Sequence, residues 1–258
     1  MGMFRNLLMQ NQGQWSNDLA EVYAYADSIG VTPQQVDAAI GNNTSLRERL
    51  IAWKYLLHSL VNTGYTPWLQ GDGVAYINTG VIPKTNSTIT FRIKPTSFTQ
   101  LVMGARNDTS DKSSSYMIVI RNTSIRGDWF GNSASLNSSA ITYNDICTVS
   151  AGVVYINGVL DKSYSITKTV CNYPMYLFLG NTNSVVNTSN VFTGAINHVI
   201  LDGTINGIDG SRHFVPYCDN GTYGMLDLVS NTFFGSAAQN GLFSYELLDS
   251  NNNVVNIN

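Results

Sequence analysis

Val153-Val154-Tyr155-Ile156-Asn157-Gly158-Val159-Leu160-Asp161 is the stretch that decides how this chain folds. Two β-branched runs flank an Asn-Gly pair. That pair accepts the positive φ angles of a two-residue type I′ turn, so the chain is expected to reverse there as a tight hairpin. Downstream come Tyr176-Leu177-Phe178-Leu179-Gly180-Asn181 and Phe192-Thr193-Gly194-Ala195-Ile196-Asn197-His198-Val199-Ile200-Leu201. Both are continuous or alternating apolar runs interrupted by glycine or asparagine, the pattern of short antiparallel strands.

Working back from the hairpin, residues 87–94, 100–104, 116–121 and 141–149 read as further strands. At least eight strands at turn-marked spacing predict a mainly β fold of the sandwich or jelly-roll type. Residues 106–115, with Asp108, Asp111 and three consecutive serines, read as a solvent-facing loop. Residues 1–63 follow a different period. Ser16 precedes Leu19, Val22, Tyr23, Ala26 and Ile29, spaced as one face of a helix that Gly30 closes. Thr32 with Pro33 and Gln35 starts a second helix, ending at Gly41, and Ser45 with Glu48 forms the capping box of a third. The third helix carries Leu46, Leu50, Trp53, Leu57 and Leu60 on one stripe. That stripe is either a seam between subunits or a core face packed on the first two helices. The chain therefore divides into a helical anchoring or oligomerisation segment, 1–63, and a β domain, 64–258.

Only 12% of the 258 residues are charged, about half the usual share, and Asn, Ser, Thr and Gly take their place. The net charge of -3 and the lack of any basic run argue against binding nucleic acid through its phosphates. No stretch approaches the roughly 20 apolar residues needed to cross a bilayer, and the first residues lack the apolar core of a signal peptide. Cys147, Cys171 and Cys218 form no CxxC unit, so buried reduced thiols are expected instead of a metal knuckle.

The hairpin Tyr155-Ile156-Asn157-Gly158, the Leu177 to Gly180 run and the Phe192, Gly194, Ile196, Val199, Leu201 series resemble the laminin-G-like, concanavalin A-like jelly roll. Residues 65–83, with Tyr76, Ile77, Thr79 and Gly80, look like the opening strand of such domains in phage and prophage proteins of gut bacteria. Asn78 stands where those domains usually carry aspartate. Phe214, Val215, Pro216, Gly224, Met225, Asp227, Phe233 and Gly241 resemble their closing hairpin. The resemblance covers roughly residues 65–245 and leaves the helical segment outside. It implies a concanavalin A-like jelly-roll sandwich and leaves function open, because this fold serves lectins, glycosidases and adhesion modules alike.

Glycosidases of this fold need two carboxylates beside the sugar. Of the three glutamates, Glu21 and Glu48 lie in the helical segment and Glu246 stands alone in the β domain, so no enzyme activity is expected. His198 alternates with apolar strand residues and reads as a structural histidine, and no Gly-x-Ser-x-Gly elbow accompanies it. Asp108, Asp111 and Asp145 are the candidates for a Ca²⁺ site of the laminin-G kind, but no ligand spacing joins them, and no cofactor is expected.

A binding role asks for less: an aromatic face for the sugar ring and Asn, Asp or Arg for its hydroxyls. Arg126-Gly127-Asp128-Trp129-Phe130-Gly131-Asn132 offers these together, making Arg126, Asp128, Trp129 and Asn132 the candidate glycan-binding residues. In the competing reading of the same segment, Trp129 and Phe130 are sandwich core and Asp128 belongs to a turn. With no Lys or Arg cluster in the sequence, the expected ligand is a neutral or weakly charged glycan. The functional expectation is a non-enzymatic bacteriophage virion protein, a head or tail fibre or a capsid decoration. It would be exposed on the particle, associated with other virion proteins and with itself as a trimer. The alternatives are a bacterial surface or secreted carbohydrate-binding module and, more weakly, an inactive glycosidase relative.

Overall fold

The computed structural model describes residues 66–95, 99–111, 113–129, 137–219, 221–230, 232–248 and 254. The expected helices, the Leu46, Leu50, Trp53, Leu57, Leu60 stripe, and Phe130 and Asn132 lie outside the described residues. The described part is mainly β. Its strands begin with β1 (Thr66–Gly71), β2 (Ile77–Asn78), β3 (Val81–Ile82), β4 (Ile89–Lys94), β5 (Gln100–Arg106) and β6 (Tyr116–Arg121). There follow β7 (Ser124–Arg126), β8 (Cys147–Ser150), β9 (Val153–Ile156), β10 (Val159–Ser163), β11 (Tyr176–Leu177) and β12 (Gly180–Thr182). Last come β13 (Val185–Asn187), β14 (Ala195–Ile205), β15 (Ile208–Asp219), β16 (Thr222–Asp227), β17 (Thr232–Phe234) and β18 (Phe243–Leu248).

The strands form two sheets. The larger runs β10-β9-β8-β4-β14-β15-β16-β17, with β1 and β3 also on β14 and β18 on β1. The smaller runs β13-β12-β5-β11-β2, with β6 on β5 and β7 on β6. The opening stretch crosses between the two, since β1 and β3 pair in the larger sheet and β2 in the smaller. One apolar core joins the inner faces. Ile89, Phe91, Val149, Val199, Leu201, Phe214 and Met225 come from the larger sheet, and Ile77, Val102, Tyr116, Ile118, Ile120 and Leu177 from the smaller.

The hairpin forms as its sequence requires. Ile156 pairs with Val159, and Asn157 and Gly158 have φ of 53° and 76°, the left-handed values of a type I′ turn. The long β14–β15 hairpin turns the same way, with Asn206 and Gly207 at φ 51° and 81° between the paired Ile205 and Ile208.

Four local expectations are corrected. The run 176–181 is not one antiparallel strand: Phe178 takes φ 71°, dividing it into β11 and β12, and β12 runs parallel to β5. A bulky residue at positive φ is strained. Here the ring is held between Phe192, 6.2 Å away, and Phe243, 4.9 Å away, so tertiary packing overrides local preference. Within 141–149 only β8 is strand, because the Asp145 carboxylate accepts the Thr142 amide at 2.7 Å and closes a turn. Ser114 and Ser115 are buried, not solvent-facing, and the Ser115 hydroxyl donates to Asp128 at 2.6 Å. Cys147 and Cys171 are buried free thiols as expected, with burial pushing Cys147 up to about 12, but Cys218 is exposed near the end of β15.

Candidate functional site

On β5 and β6 successive side chains point to opposite faces. Val102, Ile118 and Ile120 join the core, whereas Leu101, Met117 and Val119 line an open cleft of about 290 Å³. Arg126, Gly127 and Asp128 stand along one side of it, Thr99, Asn187, Ser189 and Asn190 along another, and Arg106 also lines it.

Two glycines set the depth of the apolar floor. Gly104 and Gly180 are partners in the parallel β5–β12 pairing. A Cβ on Gly180 would lie 2.6 Å from Leu101 Cδ2 and 2.9 Å from Met117 Sδ, so the floor side chains can sit this low only because position 180 has no side chain. The loop after β13 is fixed by backbone chemistry. The Leu101 amide donates to the Asn190 carbonyl at 2.7 Å, and the Ser189 amide to Asn187 Oδ1 at 3.0 Å. Behind Asp128, the buried Lys168 amine donates to the carbonyls of Ser115 and Asp128 and lies 5.2 Å from the centre of the Tyr116 ring. Burial pulls its pKa down to about 8. The wall is thus held from behind, as a pre-formed binding site requires.

The structure brings Arg126 and Asp128 into this cleft and takes Trp129 out of it. Trp129 is fully buried in the core, its ring edge-on to Tyr116 at 5.4 Å and 81°. Its indole has no face to offer a sugar, so the expectation that it stacks on a ligand is corrected in favour of the core reading. Asp128 is 7% exposed and belongs to the cleft lining. Arg126 is half-buried, and its guanidinium has no hydrogen-bond or ion-pair partner among the described residues. Arg106 donates through Nε to Thr182 Oγ1 at 2.9 Å. Two guanidiniums, Arg106 and Arg126, and one carboxylate, Asp128, line this cleft.

Other candidates resolve into local structure. Asp108 accepts Ser110 and Asp111 accepts Ser113, each through both amide and hydroxyl, so these carboxylates cap their own turns. Among the described residues no group of three or more His, Cys, Asp or Glu is placed to hold a metal ion. Glu246 pairs with Lys94 at 3.4 Å.

His198 and His213 lie on neighbouring strands with ring centres 6.2 Å apart, and His198 Nδ1 is 3.0 Å from Asn197 Oδ1. Burial takes His198 down to about 4, helped by the charges of His213 and Arg92, and burial also lowers His213. Both folded values lie below the unfolded value of about 6.5, so in that window the unfolded chain binds more protons. Stability should therefore be unaffected above about pH 6.5 and fall towards pH 4, by up to about 1.4 kcal/mol per pH unit for each histidine. Urea denaturation across this window measures the slope, and His198→Gln should flatten it. An equally steep fall in the variant would assign the proton uptake to other groups.

No protein-family model matches this chain, and no curated protein matches it in sequence.

Proposed function

We propose that this chain is a non-enzymatic bacteriophage virion protein, a head or tail fibre or a capsid decoration. Its β domain is a laminin-G-like jelly roll that displays a glycan-binding cleft, and residues 1–63 join it to other virion proteins and to further copies of itself. The observation that carries the binding part is the cleft. An apolar floor of Leu101, Met117 and Val119 suits the C–H surface of a sugar ring, and Arg, Asn, Ser and Asp side chains around it suit hydroxyls. A volume of about 290 Å³ accommodates about one ring, which favours weak single sites multiplied by display in many copies.

Binding is favoured over hydrolysis because cleavage of a glycoside needs two carboxyl groups roughly 5 to 9.5 Å apart, and among the described residues this cleft holds Asp128 alone. The weakly charged, Asn-rich surface and the resemblance of residues 65–245 to phage and prophage domains support the virion assignment. Antibody raised against the purified full chain should label projections on phage particles in electron micrographs of lysates from cells that make it. Label confined to the bacterial surface would overturn the virion reading in favour of a bacterial carbohydrate-binding module.

A further inference from the structure

We infer that the cleft takes a sugar acid, a hexose ring bearing one carboxylate, with Arg126 as its anion anchor; this rests on the glycan-binding reading above and names its ligand class. Arg126 is half-buried and makes no hydrogen bond or ion pair among the described residues. A guanidinium is always charged and presents a planar fork that fits a carboxylate through two parallel hydrogen bonds. A bound carboxylate supplies the acceptors that this side chain lacks among the described residues.

The surroundings narrow the class. Asp128 lines the same side of the cleft as Arg126, two residues along the chain. Its negative charge disfavours a phosphate, which carries about -1.5 to -2, far more than a singly charged carboxylate. Across the cleft from the anchor, Ser189 and Asn190 have side chains without hydrogen-bond partners among the described residues, and these match ring hydroxyls. The second guanidinium is not part of the same clamp. Arg126 pairs with Val119, which pairs with Leu101, and Arg106 lies five residues further along β5. That is about 16 Å at the rise of a strand. Arg106 therefore serves the far end, where the hydroxyl or carboxylate of a neighbouring ring would reach. Repeating acidic sugars are the natural occupants of a site built this way.

The test uses the full chain immobilised in many copies, probed with a galacturonic acid oligosaccharide, its methyl ester and a sulfated oligosaccharide. The ester keeps every hydroxyl and removes only the charge. The acid should bind at least about tenfold tighter than the ester, as the strength of hydrogen bonds to charged groups implies. Arg126→Gln should abolish that preference, acid binding falling to the level of the ester, with the melting temperature unchanged, because this guanidinium makes no hydrogen bond or ion pair among the described residues. Gly180→Ala, which lifts Met117 and Leu101 into the cleft, should weaken acid and ester together.

Equal binding of acid and ester, an undiminished preference in Arg126→Gln, or capture of the sulfated sugar alone would overturn the sugar-acid assignment and leave glycan binding standing. Folded protein that binds none of the three probes, nor any neutral glycan on an array, would overturn the glycan reading itself and this inference with it.

Discussion

Asp227→Ala should cost about 3–5 kcal/mol of folding stability, the usual loss when one partner of a buried ion pair is removed. The Asp227 carboxylate is fully buried at the end of β16 and faces the Arg212 Nη1 at 2.8 Å. It also accepts the His213 amide at 2.9 Å, the Val229 and Ser230 amides at 3.2 Å each, and the Ser230 hydroxyl at 2.5 Å. One side chain thus closes the β16–β17 turn and ties it to β15. Removing it takes one acceptor from three backbone donors and from a guanidinium whose Nε has no hydrogen-bond partner among the described residues. The Arg212 guanidinium lies 5.0 Å over the Phe234 ring, in surroundings that water cannot easily refill. Asp227→Asn keeps an oxygen for the amides and loses only the charge, so it should cost less than the alanine variant. Urea denaturation measures both. A loss under about 1 kcal/mol for Asp227→Ala would mean that solvent reaches Arg212 and that the turn closes without the carboxylate.

The parts of this fold that were legible in the sequence are those decided locally. Asn157-Gly158 dictates its own backbone angles, so the β9–β10 hairpin follows from two residues and the runs beside them. Asn206-Gly207 carries the same signal for the β14–β15 hairpin, and it lay unread beside the longer apolar series before it. What could not be read is what distant packing decides. Nothing in Tyr176 to Asn181 announces that Phe178 will take a left-handed φ. That angle comes from Phe192 and Phe243, which reach it only once both sheets have assembled. The parallel pairing of β12 with β5 follows from this break, and it brings the loop after β13 beside β5.

The cleft was half legible for the same reason. Arg126 and Asp128 stood out within one glycine-bounded segment, but Arg106, Met117 and Asn190 come from elements that only the sheet pairing joins. No periodicity in the chain predicts that Arg106 and Arg126 will share a cavity. Asp128 and Trp129 lie in a turn beyond β7, where no strand alternation sorts neighbouring side chains. The structure gives the carboxylate to the cleft and the indole to the core.

Trp129→Ala should therefore cost about 3–5 kcal/mol of stability, the loss expected for a large buried aromatic. The side chain is wholly inaccessible, packs edge-on against Tyr116, and belongs to the core that the two sheets share. Truncation opens a cavity directly behind Asp128, which surrounding side chains fill only in part. Trp129→Phe is the control that separates packing from recognition. It retains a ring against Tyr116 and removes the indole N–H, which is buried without a hydrogen-bond partner among the described residues, so its cost should fall well below that of alanine. Arg126 and Asp128 line the cleft, and Trp129→Phe leaves both in place. Its binding to the oligosaccharide probes should equal that of the unsubstituted protein, while its melting temperature drops modestly. If Trp129→Ala unfolded at the same urea concentration as the unsubstituted protein but lost sugar binding, the indole would have to face the ligand. The cleft would then have a different floor from the one formed by Leu101, Met117 and Val119.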